Sequence, residues 1–438
     1  MLGLKISNFF IISCFLLAIS FNACKNEKKP IPPQPSPTIE DAEIVIGNSN
    51  TFLFLSDVHL NSFSESTVYG DDTGMVLWKA FLAKTDSMLG SIVSPDFVVY
   101  TGDLPGHYPK PFYLPPNKRA DHNQNLKIIL QGLRDLVTKH KKPLFYLPGN
   151  NDGLAGDYSS FTDEKQNTPF SLLDEKVNPY PALNINSSGN IAPYMVSNPE
   201  PKTGYYSAKP IDGLRIIALN TVIYSAHFFT VDGSNPIDDG NNQMKWLASE
   251  LQDATKKGDK VYITMHIPPG VDAYGYKSQG NNATNWTKKH PWNNQFLQIV
   301  SDNQNVIAGI LYGHTHMDEL RRLYGPSGKN ITEIAISSPG VTPQHYNNPG
   351  FKVVSYDATS KELLDFTTYH TIPSANTWGK ASYSFNQIFG YSSNKTMFEN
   401  LSTDNLPAIH KKLNAIYTVM HGFPSYNIEP GIEVKAEK

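Results

Sequence analysis

The chain has 438 residues, 39% hydrophobic and 18% charged, enough for one large core or a core with an appendage. A formal net charge of −3 supplies no basic field for nucleic acid, so no specific nucleic-acid binding is expected and an anionic ligand needs a local cation. The only cysteines, Cys14 and Cys24, lie near the N-terminus, which excludes a disulfide scaffold and leaves core burial and bound metals to hold the rest.

Lys5 precedes an apolar run, Phe9–Ile19, and a small residue, Ala23, stands before Cys24. Residues 1–24 therefore read as an export signal whose run is too short for a spanning helix. A cysteine directly after a small residue resembles a bacterial lipobox. Cys24 is the candidate lipidation site, which would anchor the protein to a membrane of the bacterial cell envelope. Ordinary cleavage after Ala23, with secretion, is the alternative. Residues 25–50 form a tether stiffened by Pro30, Pro32, Pro33, Pro35 and Pro37.

Residues 51–371 alternate strand and helix patterns, which predicts an α/β fold. Thr51–Leu55 is a strand ending in Asp57 and His59, and Met75–Leu89 has helical apolar spacing. Phe97–Tyr100 is a buried strand broken by Gly102-Asp103, with His107 four residues on. Leu126–Val137 reads as a helix, then Pro143–Leu147 as a strand ending in Gly149-Asn150-Asn151-Asp152. Gly153–Tyr206, rich in Asn, Ser and Pro, reads as a long irregular insertion. Strand 214–219, helix 243–251 and strand 260–264 follow, the last delivering His266. Strand 306–312 delivers Gly313-His314-Thr315-His316, and two more strands are predicted at 333–337 and 351–356. Beyond Thr371 the pattern weakens to a small C-terminal extension, 372–438, with one helix from Leu406 to Met420.

Five strand ends thus display Asp57 with His59, Asp103, Asn150, His266, and His314 with His316. Strand periodicity lets Asp57 and His59, two apart, point to one side, and His314 and His316 likewise if the strand persists. Seven nitrogen and oxygen donors suit two divalent metals sharing one carboxylate, with positions left for water and substrate. The donor set favours zinc, with iron or manganese as alternatives.

These motifs, in this order, resemble the calcineurin-like metallophosphoesterase superfamily. Within it, Tyr100-Thr101-Gly102-Asp103-Leu104-Pro105-Gly106-His107, Met265-His266-Ile267-Pro268-Pro269-Gly270 and Tyr312-Gly313-His314-Thr315-His316-Met317-Asp318-Glu319 are similar to the acid sphingomyelinase-like phosphodiesterase branch. The resemblance implies a four-layer α/β/β/α sandwich of two mixed sheets flanked by helices. It implies one metal on Asp57, His59, Asp103 and His316, and a second on Asp103, Asn150, His266 and His314. A hydroxide between them would attack a phosphodiester, either a small molecule or a lipid headgroup, and His107 would protonate the leaving group. Family members usually carry His where this chain has Asn151. An amide there can bond a phosphoryl oxygen but delivers no proton, which shifts the expectation toward substrates with stable leaving groups, phosphoanhydrides among them.

His345 and Tyr346, before Asn348-Pro349-Gly350, are candidate substrate contacts. Tyr274, Tyr276, Trp286 and Trp292 either wall a cleft or anchor their loop. Asp152 reads as an orienting hydrogen-bond partner. His122, His140, His227, His290, His370, His410 and His421 carry no motif and read as surface or helix-end residues.

Overall fold

Strand β1 (Ser49–Leu55) sets the layering, because its side chains alternate between two cores. Phe52 and Phe54 enter the core between the two sheets, whereas Leu53 and Leu55 enter the core under the first helices. The computed structural model describes residues 49–91, 94–107, 112–173, 194–199, 202–272, 280, 283–422 and 428–437. The export signal with Cys24, the tether up to residue 48, Tyr274 and Tyr276 lie outside them, and the last two residues read as tether open β1 instead.

The first sheet contains β2 (Val98–Tyr100), β3 (Leu144–Tyr146), β11 (Gly350–Asp357), β12 (Leu363–His370) and β13 (Ser382–Ser384) in the order β13-β12-β11-β1-β2-β3. Strands β1, β2 and β3 run parallel, and β11 joins β1 antiparallel with Ser49 opposite Asp357. The second sheet has the order β14-β9-β10-β8-β7-β6-β5-β4. Its members are β4 (Met195–Ser197), β5 (Tyr206–Ile211), β6 (Leu214–Ala218), β7 (Lys260–Thr264), β8 (Ile307–Tyr312), β9 (Leu320–Tyr324), β10 (Ile331–Ser337) and β14 (Glu433–Val434). Strands β6, β7 and β8 are parallel, β5 is antiparallel to β4 and β6, and β9 is antiparallel to β10 but parallel to β14, so both sheets are mixed.

Helices α1 (Met75–Leu89) and α2 (Ala120–His140) cover the outer face of the first sheet with Trp78, Phe81, Ile129 and Leu133. Helices α3 (Pro236–Lys257) and α4 (Trp292–Asp302) cover the second with Met244, Leu247, Leu251 and Phe296. The Asn235 side chain caps α3 at Ile237 N, followed by Pro236 at the first helical position and a left-handed Gly258 at its end. These caps make α3 longer than its apolar spacing alone predicts. The strand and helix order predicts the α/β class, and the four-layer sandwich is the architecture the family resemblance implies.

Several segments depart from the sequence reading, among them β9 and β12, which it does not predict. The stretch read as an irregular insertion contains β4, an edge strand of three residues, too short to show a period. Residues 372–438 are more than an appended helical piece, because they lay β13 on one sheet and β14 on the other. Between these strands, α5 (Phe385–Phe389), α6 (Met397–Thr403), α7 (Leu406–Ile416) and α8 (Glu429–Ile432) add Phe385, Leu401, Ile409 and Ile432 to the inter-sheet core.

Candidate metal centre

The C-terminal ends of β1, β2 and β3 in one sheet face those of β7 and β8 in the other, and all seven candidate ligands gather there. Asp103 is common to two groups of donors within 4.8 Å of one another: Asp57, His59, Asp103 and His316, and Asp103, His266 and His314. Its Oδ2 lies 3.3 Å from His59 Nε2 and 3.2 Å from His266 Nε2. His316 Nε2 is 3.5 Å from Asp57 Oδ1, and Asn150 Oδ1 is 3.0 Å from His266 Nε2.

The paired ligands converge for a different reason from the one expected. The strands have ended at Leu55 and Tyr312, and side-chain alternation no longer applies. Instead Asp57 (φ 49°), His59 (φ 45°), Asp103 (φ 61°), His314 (φ 72°) and His316 (φ 59°) all occupy the left-handed region. A non-glycine residue there costs roughly 1–3 kcal/mol. The surrounding backbone holds the conformation: Asp57 N donates to Gly102 O at 3.0 Å, Thr342 N to Asp57 O at 3.1 Å, and Gly340 N to His316 O at 3.0 Å. His314 N donates to the Asp57 carboxylate at 3.0 Å. Gly149 leaves room for the central acid, since a Cβ there would lie 2.2 Å from Asp103 Oδ1.

The residues present fit a pair of cations. His59 gives its Nδ1–H to Pro105 O at 3.1 Å and His266 gives its own to Thr101 O at 2.6 Å, so Nε2 of each faces inward. His59 Nε2 is buried and makes no hydrogen bond. Burial depresses His314 and His316 well below the ordinary imidazole range, helped by His266 and His345 respectively. At His59 and His266 burial is overcome by the charge of the Asp103 carboxylate, which lifts His266 to about 9. Asp103 is correspondingly held well below the usual carboxylate range, despite its burial, by His266 and His59. The protein thus draws positive charge to the point where a cation would sit.

Three neighbouring side chains orient the ligands. Asp152 accepts from Asp103 N at 3.0 Å, Leu104 N at 2.6 Å, Gly149 N at 2.6 Å and the Tyr146 hydroxyl at 2.8 Å, matching the orienting role read from sequence. Asp157, which sequence reasoning missed, accepts from Asn150 Nδ2 at 2.8 Å and turns the amide oxygen inward. Burial pushes Asp157 up to about 7. Asn151 donates to Asp103 through its backbone N at 2.8 Å and its side-chain Nδ2 at 3.1 Å, so its amide engages the shared carboxylate.

His107 stacks on His59 with ring centres 3.9 Å apart and pairs with Asp72, a second residue that sequence reasoning missed. His345 lies edge-on to His316 at 4.5 Å and to His107 at 6.1 Å, and burial lowers it to about 3. Tyr346 is 43% exposed, and its carbonyl accepts His421 Nδ1–H at 2.6 Å. Trp286 and Trp292, the latter the first residue of α4, are buried in the core on the second sheet's helix side and anchor the chain there. His122 is at the start of α2, as a helix-end residue, but its ring is buried and donates Nε2–H to Gly153 O at 2.9 Å.

The family model for calcineurin-like phosphoesterases matches residues 51–318. The chain belongs to this family. Among curated relatives, it is 31% identical over 310 residues to "Sphingomyelinase phosphodiesterase D" of Dictyostelium discoideum, covering 69% of this chain and 61% of the relative. It is 33% identical to human "Acid sphingomyelinase-like phosphodiesterase 3b", covering 68% and 62%. It is 27% identical to human "Cyclic GMP-AMP phosphodiesterase SMPDL3A", covering 71% and 64%. The matches span a little over three-fifths of each relative's own length. They fall in the acid sphingomyelinase-like branch of the calcineurin-like family, as the motifs imply.

Proposed function

We propose that this chain is an exported phosphodiesterase that works with two divalent cations, zinc being the first choice from its imidazole, carboxylate and amide donors. Asp57, His59, Asp103 and His316 would hold one cation, and Asp103, Asn150, His266 and His314 the other. Bound there, the cations supply Lewis-acid neutralisation of phosphoryl oxygens and water activated near neutral pH. The protein's own side chains do the rest. Asp103 spans both positions, Asn151 and Asp152 fix it, and Asp157 fixes Asn150. His107, beside His59 yet partly exposed, protonates the departing oxygen.

The observation that carries this reading is the membership of Asp103 in both donor groups. The substrate would be a phosphodiester of a small molecule or lipid headgroup, in keeping with the sphingomyelin and cyclic dinucleotide in the relatives' names. The N-terminal pattern supports export with lipid attachment at Cys24. The test is metal analysis of the purified protein combined with turnover of bis-p-nitrophenyl phosphate. Metal-binding protein that turns over the ester is expected, and protein that binds no metal and is inert would sink the proposal.

A second reading, hydrolysis of nucleotide or polyphosphate anhydrides on the same site, is favoured by Asn151, whose amide is committed to Asp103 and donates no proton. Comparing sphingomyelin, cyclic dinucleotide, nucleotide anhydride and long-chain polyphosphate at equal enzyme separates the two. Clear preference for a choline ester removes the second.

A further inference from the structure

Asp72 lies in the loop between β1 and α1, beyond His59 and 35 residues before His107. The loop is brought back by backbone pairing. Thr73 N donates to His59 O at 3.1 Å, Asn61 N donates to Thr73 O at 2.9 Å, and Leu60 bridges to both Thr73 and Pro105. This places Asp72 beside Gly106-His107. One carboxylate oxygen accepts the backbone N–H of His107 at 2.8 Å and the other accepts its ring Nδ1–H at 2.7 Å. The approach depends on glycine: a Cβ on residue 106 would lie 2.9 Å from Asp72 Oδ2.

The double grip fixes both where the residue sits and how its ring is turned. The His107 ring lies parallel to His59, with ring centres 3.9 Å apart and planes 8° apart. With Nδ1 bonded to Asp72, Nε2 is the ring nitrogen left to face a substrate. An unconstrained imidazole shares its proton between two tautomers and rotates about χ1 and χ2. A carboxylate on Nδ1 selects one tautomer and one orientation, as the aspartate of a serine-protease triad does for its histidine.

We infer that Asp72 is a positioning residue for His107: it holds Nδ1–H and the ring orientation, so that the doubly protonated ring gives its Nε2 proton to the leaving-group oxygen and ends as the neutral Nδ1–H form still bonded to Asp72. The inference rests on the proposed role of His107 as proton donor. A competing role for Asp72 is purely architectural, holding the loop to the backbone of His107. Both roles predict damage on truncation, so the useful change is Asp72→Asn, which keeps the shape and can still accept the backbone N–H.

The experiment uses zinc-loaded parent, Asp72→Asn, His107→Ala and the double variant, each with metal content measured. Rates are compared on an alkyl phosphodiester and on bis-p-nitrophenyl phosphate, whose leaving group needs little proton donation. A proton donor contributes roughly 10²–10⁴-fold where it is needed. Asp72→Asn should therefore lower the alkyl-to-aryl rate ratio by at least about tenfold, and the double variant should match His107→Ala. Long-range ¹H–¹⁵N spectra should show His107 protonated at Nδ1 in the parent and shifted from that form in Asp72→Asn. A ratio that falls in His107→Ala but not in Asp72→Asn, with the Nδ1 tautomer retained, overturns the positioning role and leaves His107 as donor. A ratio that falls in neither variant removes the donor role and the inference together.

Discussion

Lys352 is the residue whose loss tests how the His314–His316 turn is held. It lies in β11 with a fully buried side chain, and its ammonium donates to Asp318 at 2.7 Å and to Ser337 O at 2.5 Å. The other Asp318 oxygen accepts the hydroxyls of Thr368 at 2.7 Å and Tyr383 at 2.8 Å. Asp318 is two residues beyond His316, so the cluster ties the second sheet's ligand turn to three strands of the first. Lys352→Met keeps most of the stem but leaves Asp318 buried without its counter-charge. Removing one partner of a buried pair costs about 3–5 kcal/mol. The two remaining hydroxyl donors place this case near the lower end, about 3 kcal/mol. Urea denaturation of the metal-free protein measures it, and zinc titration of the folded variant should show weakened binding. Adding Asp318→Asn removes the orphaned charge, so the double variant should lose less than the sum of the single changes. A Lys352→Met variant within about 0.5 kcal/mol of the parent, the range of ordinary surface substitutions, with unaltered zinc affinity, would refute the clamp.

Asp103→Ala should eliminate stoichiometric metal binding at one or both positions, and full occupancy by elemental analysis would remove Asp103 as the shared ligand. Asp157→Ala frees the Asn150 amide to turn, and loss of such a supporting partner typically costs roughly 10–100-fold in metal affinity, measurable by chelator competition. His122 is held near pKa 4 by burial, against an ordinary 6.5. The folded state thus binds fewer protons than the unfolded one. The associated stability is fully present above pH 6.5 and is lost as pH falls from 6.5 toward 4, by about 3 kcal/mol in all. His122→Gln should flatten this part of the stability–pH curve of the metal-free protein, and an unchanged slope would show that other groups set it.

Ligands at strand tips are legible in a sequence because a buried strand reads as an unbroken apolar run that stops abruptly. That is why Asp57, Asp103, Asn150, His266 and His314 stand out before any coordinates are known. The geometry joining them is less legible. The D-x-H and H-x-H pairs converge through left-handed backbone, which leaves no periodic mark in side-chain type. Asp72 and Asp157 stand in polar loops near other acids such as Asp71 and Asp163, and only the folded path selects which one meets a ligand. The edge strands β4, β13 and β14 are too short to display a period, so their pairing depends on tertiary context.

The register of β1 has a consequence for biogenesis. Ser49, near the start of the first sheet, is opposite Asp357, and β12 and β13 come later still. The first sheet cannot assemble until most of the chain has emerged, and the second sheet acquires β14 only with the last residues described. Pairings of such sequence separation must meet a large loop-closure entropy before they are rewarded. A nascent chain of this topology completes its two sheets only late in synthesis.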